Sequence, residues 1–226
     1  MSAPARLWLF DIDGTLVDTG GAGMQALRDA ARECFGAEGP ELDLAGSTDS
    51  GVVMEVFRHF AREPDDQGVA AFYATYLTRL GEHLAGGVFS GKVLPGVVEM
   101  LGVLSEREEI TLGLLTGNIE GGARAKMVHY GLDHHFAFGA YGCDHHDRNQ
   151  LGPLAIERAA RHAGRSFSPE ETLIIGDTPK DIACARALGA RCLAVATGTI
   201  PADGLVEADQ VVESLEKREI WEAFLG

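Results

Sequence analysis

Apolar positions along this chain fall into two patterns. Residues 7–10 (Leu-Trp-Leu-Phe), 110–115, 172–175 and 192–195 are short continuous apolar runs, the form taken by strands buried on both faces. Helical spacing appears instead over 24–35, closed by Gly36, over 49–61, with Val52, Val53, Val56, Phe57 and Phe60, and over 67–84. In the last of these, Phe72, Tyr76, Leu80 and Leu84 recur at steps of four, so they share one helix face. From residue 92 the two patterns alternate. Helix 97–104, strand 110–115, helix 120–130, a short strand around 136–138 and helix 153–163 come first. Strand 172–175, helix 179–188, strand 192–195, an apolar pair at 211–212 and a closing helix over 214–225 follow.

Strands alternating with helices predict an α/β fold, a parallel sheet covered on both faces. Between 18 and 91 nothing alternates like a strand, and glycines at 20, 21, 23, 86, 87 and 91 punctuate both ends. That stretch is therefore expected to be a separate helical domain, inserted into a core made of 1–17 and 92–226. In such sheets ligands gather at the carboxyl ends of the strands, near the point where strand order reverses. Three of the predicted strands end in chemically useful residues: Asp11 and Asp13, Thr116, and Asp177.

Charge narrows the partners. The 226 residues carry a net charge of −15, which argues against binding nucleic acid through its phosphates. An anionic substrate would also be repelled unless the site brings its own metal ion and local cations. No apolar stretch reaches membrane-span length and the first residues lack a signal-peptide segment, so a cytoplasmic protein without a membrane partner is expected. The cysteines, Cys34, Cys143, Cys184 and Cys192, show no CxxC spacing and are expected as reduced thiols. Composition leaves monomer and homodimer equally open.

The chemistry is densest at residues 11–18, Asp-Ile-Asp-Gly-Thr-Leu-Val-Asp. A strand delivers Asp11 to its tip, and a turn at Gly14 swings Asp13 to a second position, so two carboxylates can hold two roles. Thr116, followed by Gly117 and Asn118, offers a hydroxyl and backbone amides at a helix start, suited to phosphoryl oxygens or to an ordinary capping turn. Asp177 and Asp181 lie one helical turn apart, with Pro179 at the first helical position. With Asp11 they would form an oxygen-rich site suited to Mg²⁺.

Residues 11–18 resemble the DxDGTLxD motif of the haloacid dehalogenase-like hydrolases, and 176–181, Gly-Asp-Thr-Pro-Lys-Asp, resemble that family's metal-binding GDxxxD motif. The resemblance implies a Rossmann-like, doubly wound core. It also implies a phosphoryl-transfer mechanism in which Asp11 is the nucleophile and Asp13 the general acid and base. Mg²⁺ is then expected on the carboxylates of Asp11 and Asp177 and on the Asp13 carbonyl, with Asp181 completing the metal motif or orienting a nearby cation. The family's third motif usually supplies a lysine. Here Arg148 stands in that place and Lys180 is its rival, while either could equally be a solvated surface cation. Five histidines, 129, 134, 135, 145 and 146, cluster nearby and lack paired zinc-ligand spacing; for His145 and His146, which closely precede Arg148, substrate contact is the stronger functional reading.

A helical insertion between the first two motifs is similar to the cap of the subfamily holding phosphoglycolate phosphatase and β-phosphoglucomutase. Within it, residues 45–50, Ala-Gly-Ser-Thr-Asp-Ser, look like a GxTD loop that faces the active site in such members, which makes Gly46, Thr48 and Asp49 substrate-selecting candidates. Thr48 or Asp49 would serve equally as a helix N-cap. The resemblance therefore implies a Mg²⁺-dependent phosphatase of a small phosphorylated metabolite, with phosphoglycolate the leading candidate. A β-phosphoglucomutase-like mutase and a non-catalytic binding protein on the same fold are the alternatives.

Overall fold

A computed structural model describes residues 6–42 and 44–225. The chain forms, in order, β1 (Arg6–Phe10), β2 (Val17–Asp18), α1 (Ala22–Phe35), α2 (Asp49–His59), α3 (Asp66–Ala85), β3 (Lys92–Val93), α4 (Val97–Ser105) and β4 (Ile110–Leu115). It continues with α5 (Glu120–His129), β5 (Gly139–Ala140), α6 (Leu151–Ala163), β6 (Thr172–Gly176), α7 (Pro179–Leu188), β7 (Arg191–Val195), β8 (Gln210–Val212) and α8 (Arg218–Glu222). No helix among the described residues is long and apolar enough to cross a membrane.

Six strands form a wholly parallel sheet in the order β5-β4-β1-β6-β7-β8. β1 lies between β4 and β6, with Phe10 opposite Leu114 on one side and Ile175 on the other. Because the chain builds outward from β1 to β5 and then returns to lay β6 on the other flank, strand order reverses between β1 and β6. The crevice beyond their carboxyl ends is the place where such folds hold ligands. Successive side chains of β1 feed opposite faces: Trp8 and Phe10 pack with α4, α5 and Trp221 of α8, while Leu7 and Leu9 pack with α6 and α7.

Helices α1 to α3 bury a cluster of their own, including Ala26, Leu27, Val56, Phe57, Phe72, Tyr76 and Leu80. Their starts follow local sequence: Thr48 accepts from the Gly51 amide at the head of α2, and Asp65 from the Gly68 amide at 2.6 Å at the head of α3. The helical unit is entered through β2 and left through β3, a two-stranded antiparallel ribbon pairing Val17 with Val93 and Asp18 with Lys92. Strands of two residues are too short to alternate, which is why the sequence pattern misses them.

The structure shifts three expected elements. The strand expected around 136–138 forms at Gly139–Ala140, since the ladder starts only where Leu114 donates to the Phe138 carbonyl and Thr116 to that of Ala140. Phe136 instead packs edge-on against Phe10, its ring centroid 5.8 Å away. The helix expected over 49–61 stops at His59, and Ala61 adopts a positive φ of 49°. The closing helix begins at Arg218 rather than 214, because the preceding segment is held as a loop. There Leu215 accepts from the Trp221 indole at 3.1 Å, and its backbone lies against Gly96, where a β-carbon would overlap it.

Candidate active site

Asp11 leaves the tip of β1 with its amide donating to Ile175 of β6 at 2.9 Å, so the nucleophile candidate is fixed by the sheet itself. The chain then curls back: the Leu16 and Val17 amides both donate to the Ile12 carbonyl, at 2.9 and 3.0 Å. This curl needs Gly14, which sits at φ +82° with its open face against Asp177, where a β-carbon would collide with the carboxylate. Asp177 follows β6 directly, accepts from the Thr15 hydroxyl at 3.1 Å, and is 4% exposed.

Carboxylate oxygens of Asp11, Asp177 and Asp181 lie within 4.8 Å of one another, all buried. Burial, opposed by Arg148, pushes Asp11 up to about 6, and burial reinforced by Asp11 and Asp181 pushes Asp177 up to about 8. Asp181 has both oxygens engaged: one accepts from the Thr178 amide and hydroxyl at 3.1 and 2.6 Å in a capping box, the other from Arg148. Arg148 Nη2 also lies 3.4 Å from Asp11 Oδ1, and the guanidinium donates to the carbonyls of Leu115 and Gly46. Even so, Asp11 Oδ1 is buried without a hydrogen-bond partner. Like charges crowded together, with a lone pair left unanswered, form a donor set that fits a hard divalent cation such as Mg²⁺.

Between the two rival cations, the structure brings Arg148 into the acidic cluster. Lys180 is exposed and donates to Ser47 Oγ at 2.7 Å, away from Asp11. Asp13 has its carboxylate outside the cluster: Oδ2 accepts from Lys126 Nζ at 2.6 Å and from Asn118 Nδ2 at 2.8 Å. Asn118 Nδ2 in turn donates to the fully buried Thr116 hydroxyl at 2.9 Å, and its Oδ1 accepts from Lys126 at 2.5 Å. Lys126 is a residue that the sequence reading misses. Its signal was a cation on the inward stripe of helix α5, beside the buried Ala123 and Met127.

The loop at 45–49 docks on the sheet side mainly by backbone. Asp49 donates its amide to Gly117 at 2.7 Å, and its side chain accepts from the Ile119 amide at 2.8 Å, capping the start of α5. Thr48 donates to the His146 carbonyl at 2.7 Å while capping α2, and a β-carbon on Gly117 would overlap the Ser47 carbonyl. Thr48 is thus positioned at the junction, whereas Gly46, Asp49 and Gly117 also line a cavity of about 480 Å³. Asp11, Asp13, Asp177, Lys126 and Arg148 line it from the sheet side, and Met24, Leu27, Leu44 and Tyr76 from the helical unit.

A strand-order reversal flanked by an acidic cluster and a second, separately anchored carboxylate defines a class: α/β hydrolytic enzymes. The chain belongs to the haloacid dehalogenase-like hydrolase family, whose model matches residues 8–195. It is 30% identical to a phosphoglycolate phosphatase of Chromobacterium violaceum over 216 residues, 91% of each chain. It is also 30% identical to hexitol phosphatase A of Escherichia coli over 213 residues, 93% of this chain and 91% of that one. Among solved structures it superposes on a β-phosphoglucomutase of Clostridium difficile with a TM-score of 0.73, covering 97% of both chains at 17% identity, a likeness of fold.

Proposed function

We propose that this hydrolase is a Mg²⁺-dependent phosphatase of small phosphomonoesters, working through an aspartyl-phosphate on Asp11. The observation that carries the reading is Asp11 Oδ1: a buried carboxylate oxygen without a hydrogen-bond partner, at the strand-order reversal and beside Asp177. One oxygen of Asp11 attacks phosphorus and the bond to the ester oxygen breaks. Asp13 acts as general acid and gives a proton to the departing alkoxide. The Asp13 carboxylate then takes a proton from water as that oxygen attacks phosphorus, which cleaves the acyl-phosphate and returns Asp11. Held by the carboxylates of Asp11 and Asp177 and by the Asp13 carbonyl, Mg²⁺ would supply the positive charge that offsets repulsion between nucleophile and phosphate.

In this reading Arg148 bridges phosphate and Asp181, Thr116 and the amides after it bind phosphoryl oxygens, and residues 18–91 act as a cap on a core of 1–17 and 92–226. The relatives' names support a phosphorylated metabolite as substrate. The test is p-nitrophenyl phosphate turnover with and without Mg²⁺, for wild type and Asp11→Asn. Metal-dependent turnover that Asp11→Asn abolishes is the expected result. No metal-dependent turnover by wild type, on this ester or on a metabolite panel, defeats it.

A further inference from the structure

The cavity wall supplied by the helical unit has no positive charge of its own. Met24 and Leu27 of α1, Leu44, and Tyr76 of α3 form it, together with the carboxyl of Asp49. Among the described residues, the lysines and arginines lining the cavity are Lys126 and Arg148, both from the sheet side. Each is already committed, Lys126 to Asp13 and Asn118, and Arg148 to Asp11 and Asp181. The helical unit's arginines are spent outside. Arg28, Arg58 and Arg62 are exposed, Arg32 pairs with Glu38 at 2.5 Å, and Arg79 pairs with Glu33 and Glu82 at 2.5 and 2.7 Å.

A phosphate in this cavity meets cations; whatever is esterified to it meets a thioether, two leucines, a phenol and a carboxyl. A carboxylate placed there would give up its water without an uncommitted positive partner, since Lys126 already serves Asp13 and Asn118, and it would lie beside Asp49 and Asp13. Burial has already pushed Asp49 up to about 6 although Lys126 pulls the other way, a sign of how poorly this wall supports negative charge. Hydroxyl groups suit it better, since the Asp49 carboxyl and the Tyr76 hydroxyl can exchange hydrogen bonds with them.

We infer that the substrates are phosphate monoesters of small uncharged alcohols, such as polyols, and that phosphorylated hydroxy acids, phosphoglycolate among them, are rejected. The inference rests on the phosphatase reading above and narrows it. A cavity of about 480 Å³ holds a phosphate plus a short polyol chain.

The experiment is a Mg²⁺-supported kcat/KM comparison of 2-phosphoglycolate with glycerol 1-phosphate and sorbitol 6-phosphate, using p-nitrophenyl phosphate as the activity control. The better neutral ester should exceed phosphoglycolate by about tenfold or more, the scale set by an unpaired charge in a largely dehydrated site. Met24→Lys, which places an ammonium on the uncharged wall, should raise the phosphoglycolate-to-glycerol-phosphate ratio by about tenfold. Wild-type preference for phosphoglycolate, or equal use of the two, overturns the inference and leaves the phosphatase reading standing. So does an unchanged ratio in folded Met24→Lys. Failure to turn over any ester overturns the phosphatase reading and this inference with it. The wild-type ranking needs no variant, so a Met24→Lys protein that does not fold leaves the test intact.

Discussion

Lys126 Nζ lies 2.6 Å from Asp13 Oδ2, with the lysine 3% exposed and its ammonium also held by Asn118. Asp13 is therefore anchored by Asn118, just after β4, and by Lys126 of α5, while Asp11 is anchored by the sheet. The two carboxylates share a loop but not a support. In the proposed mechanism that separation lets one stay a nucleophile while the other exchanges protons.

Lys126→Met should leave the acidic cluster intact while freeing Asp13 to wander. Since general acid–base groups contribute about 10²–10⁴-fold, losing their positioning should lower kcat by about 10–100-fold. KM and the Mg²⁺ midpoint should stay within a factor of about three if the lysine acts only through Asp13. Steady-state kinetics with Mg²⁺ titrations read both, and a matching drop in Mg²⁺ affinity would mean that Lys126 supports the cluster instead.

Arg148 is the positive partner of Asp181, which is wholly buried. Arg148→Ala should destabilise the fold by about 3–5 kcal/mol, the usual result of stranding one member of a buried ion pair. Arg148→Lys keeps the charge but gives up the fork that also reaches the Leu115 and Gly46 carbonyls, so it should fold and be slow. Urea unfolding and kinetics on the pair distinguish the two roles.

Without metal, stability should fall as pH rises. Asp11 and Asp177 stand at about 6 and about 8, against 3.8 for the free group, so the native state holds their protons more tightly than the unfolded chain does. Their contribution is full below about pH 4 and is lost as pH climbs through about 8. Thermal melts of metal-free protein should show a midpoint that declines from about pH 5 to about pH 8, and Mg²⁺ should raise it more at the upper end. Asp177→Asn should flatten the slope; a metal-free midpoint that climbs over this range would contradict the shared cluster.

Gly14→Ala introduces a methyl where φ is +82° and where Asp177 already sits. Strain in the left-handed region costs about 1 kcal/mol or more, and the overlap must be relieved by moving Asp177 or the loop. Loss of most Mg²⁺-dependent turnover with a folded circular dichroism spectrum is expected. Wild-type turnover would show that the loop tolerates what its geometry forbids.

The loop that carries Asp11 and Asp13 was readable from the sequence because everything that shapes it is local: an apolar strand, two acids at its tip, and a glycine where the chain must turn. The α/β alternation followed for the same reason. What stayed hidden depended on depth. Lys126 looks like any helical lysine until α5 packs, and only then is its ammonium trapped beside Asp13. Phe136 and Phe138 carry the aromatic composition of a strand, yet they spend it on packing against Phe10 and Gly113, and the hydrogen-bonded ladder forms just beyond them. Thr48 matched a sequence pattern tied to substrate choice, but its hydroxyl is occupied with capping α2 and with His146.

The β2–β3 ribbon makes departure and return neighbours: Asp18 leaves beside the Lys92 that comes back. An excursion spliced in at one such seam can be swapped, extended or trimmed without disturbing the register of the parallel strands. On the proposed reading of the helical unit as a cap, selection can thus revise what is recognised while the reacting groups keep their places.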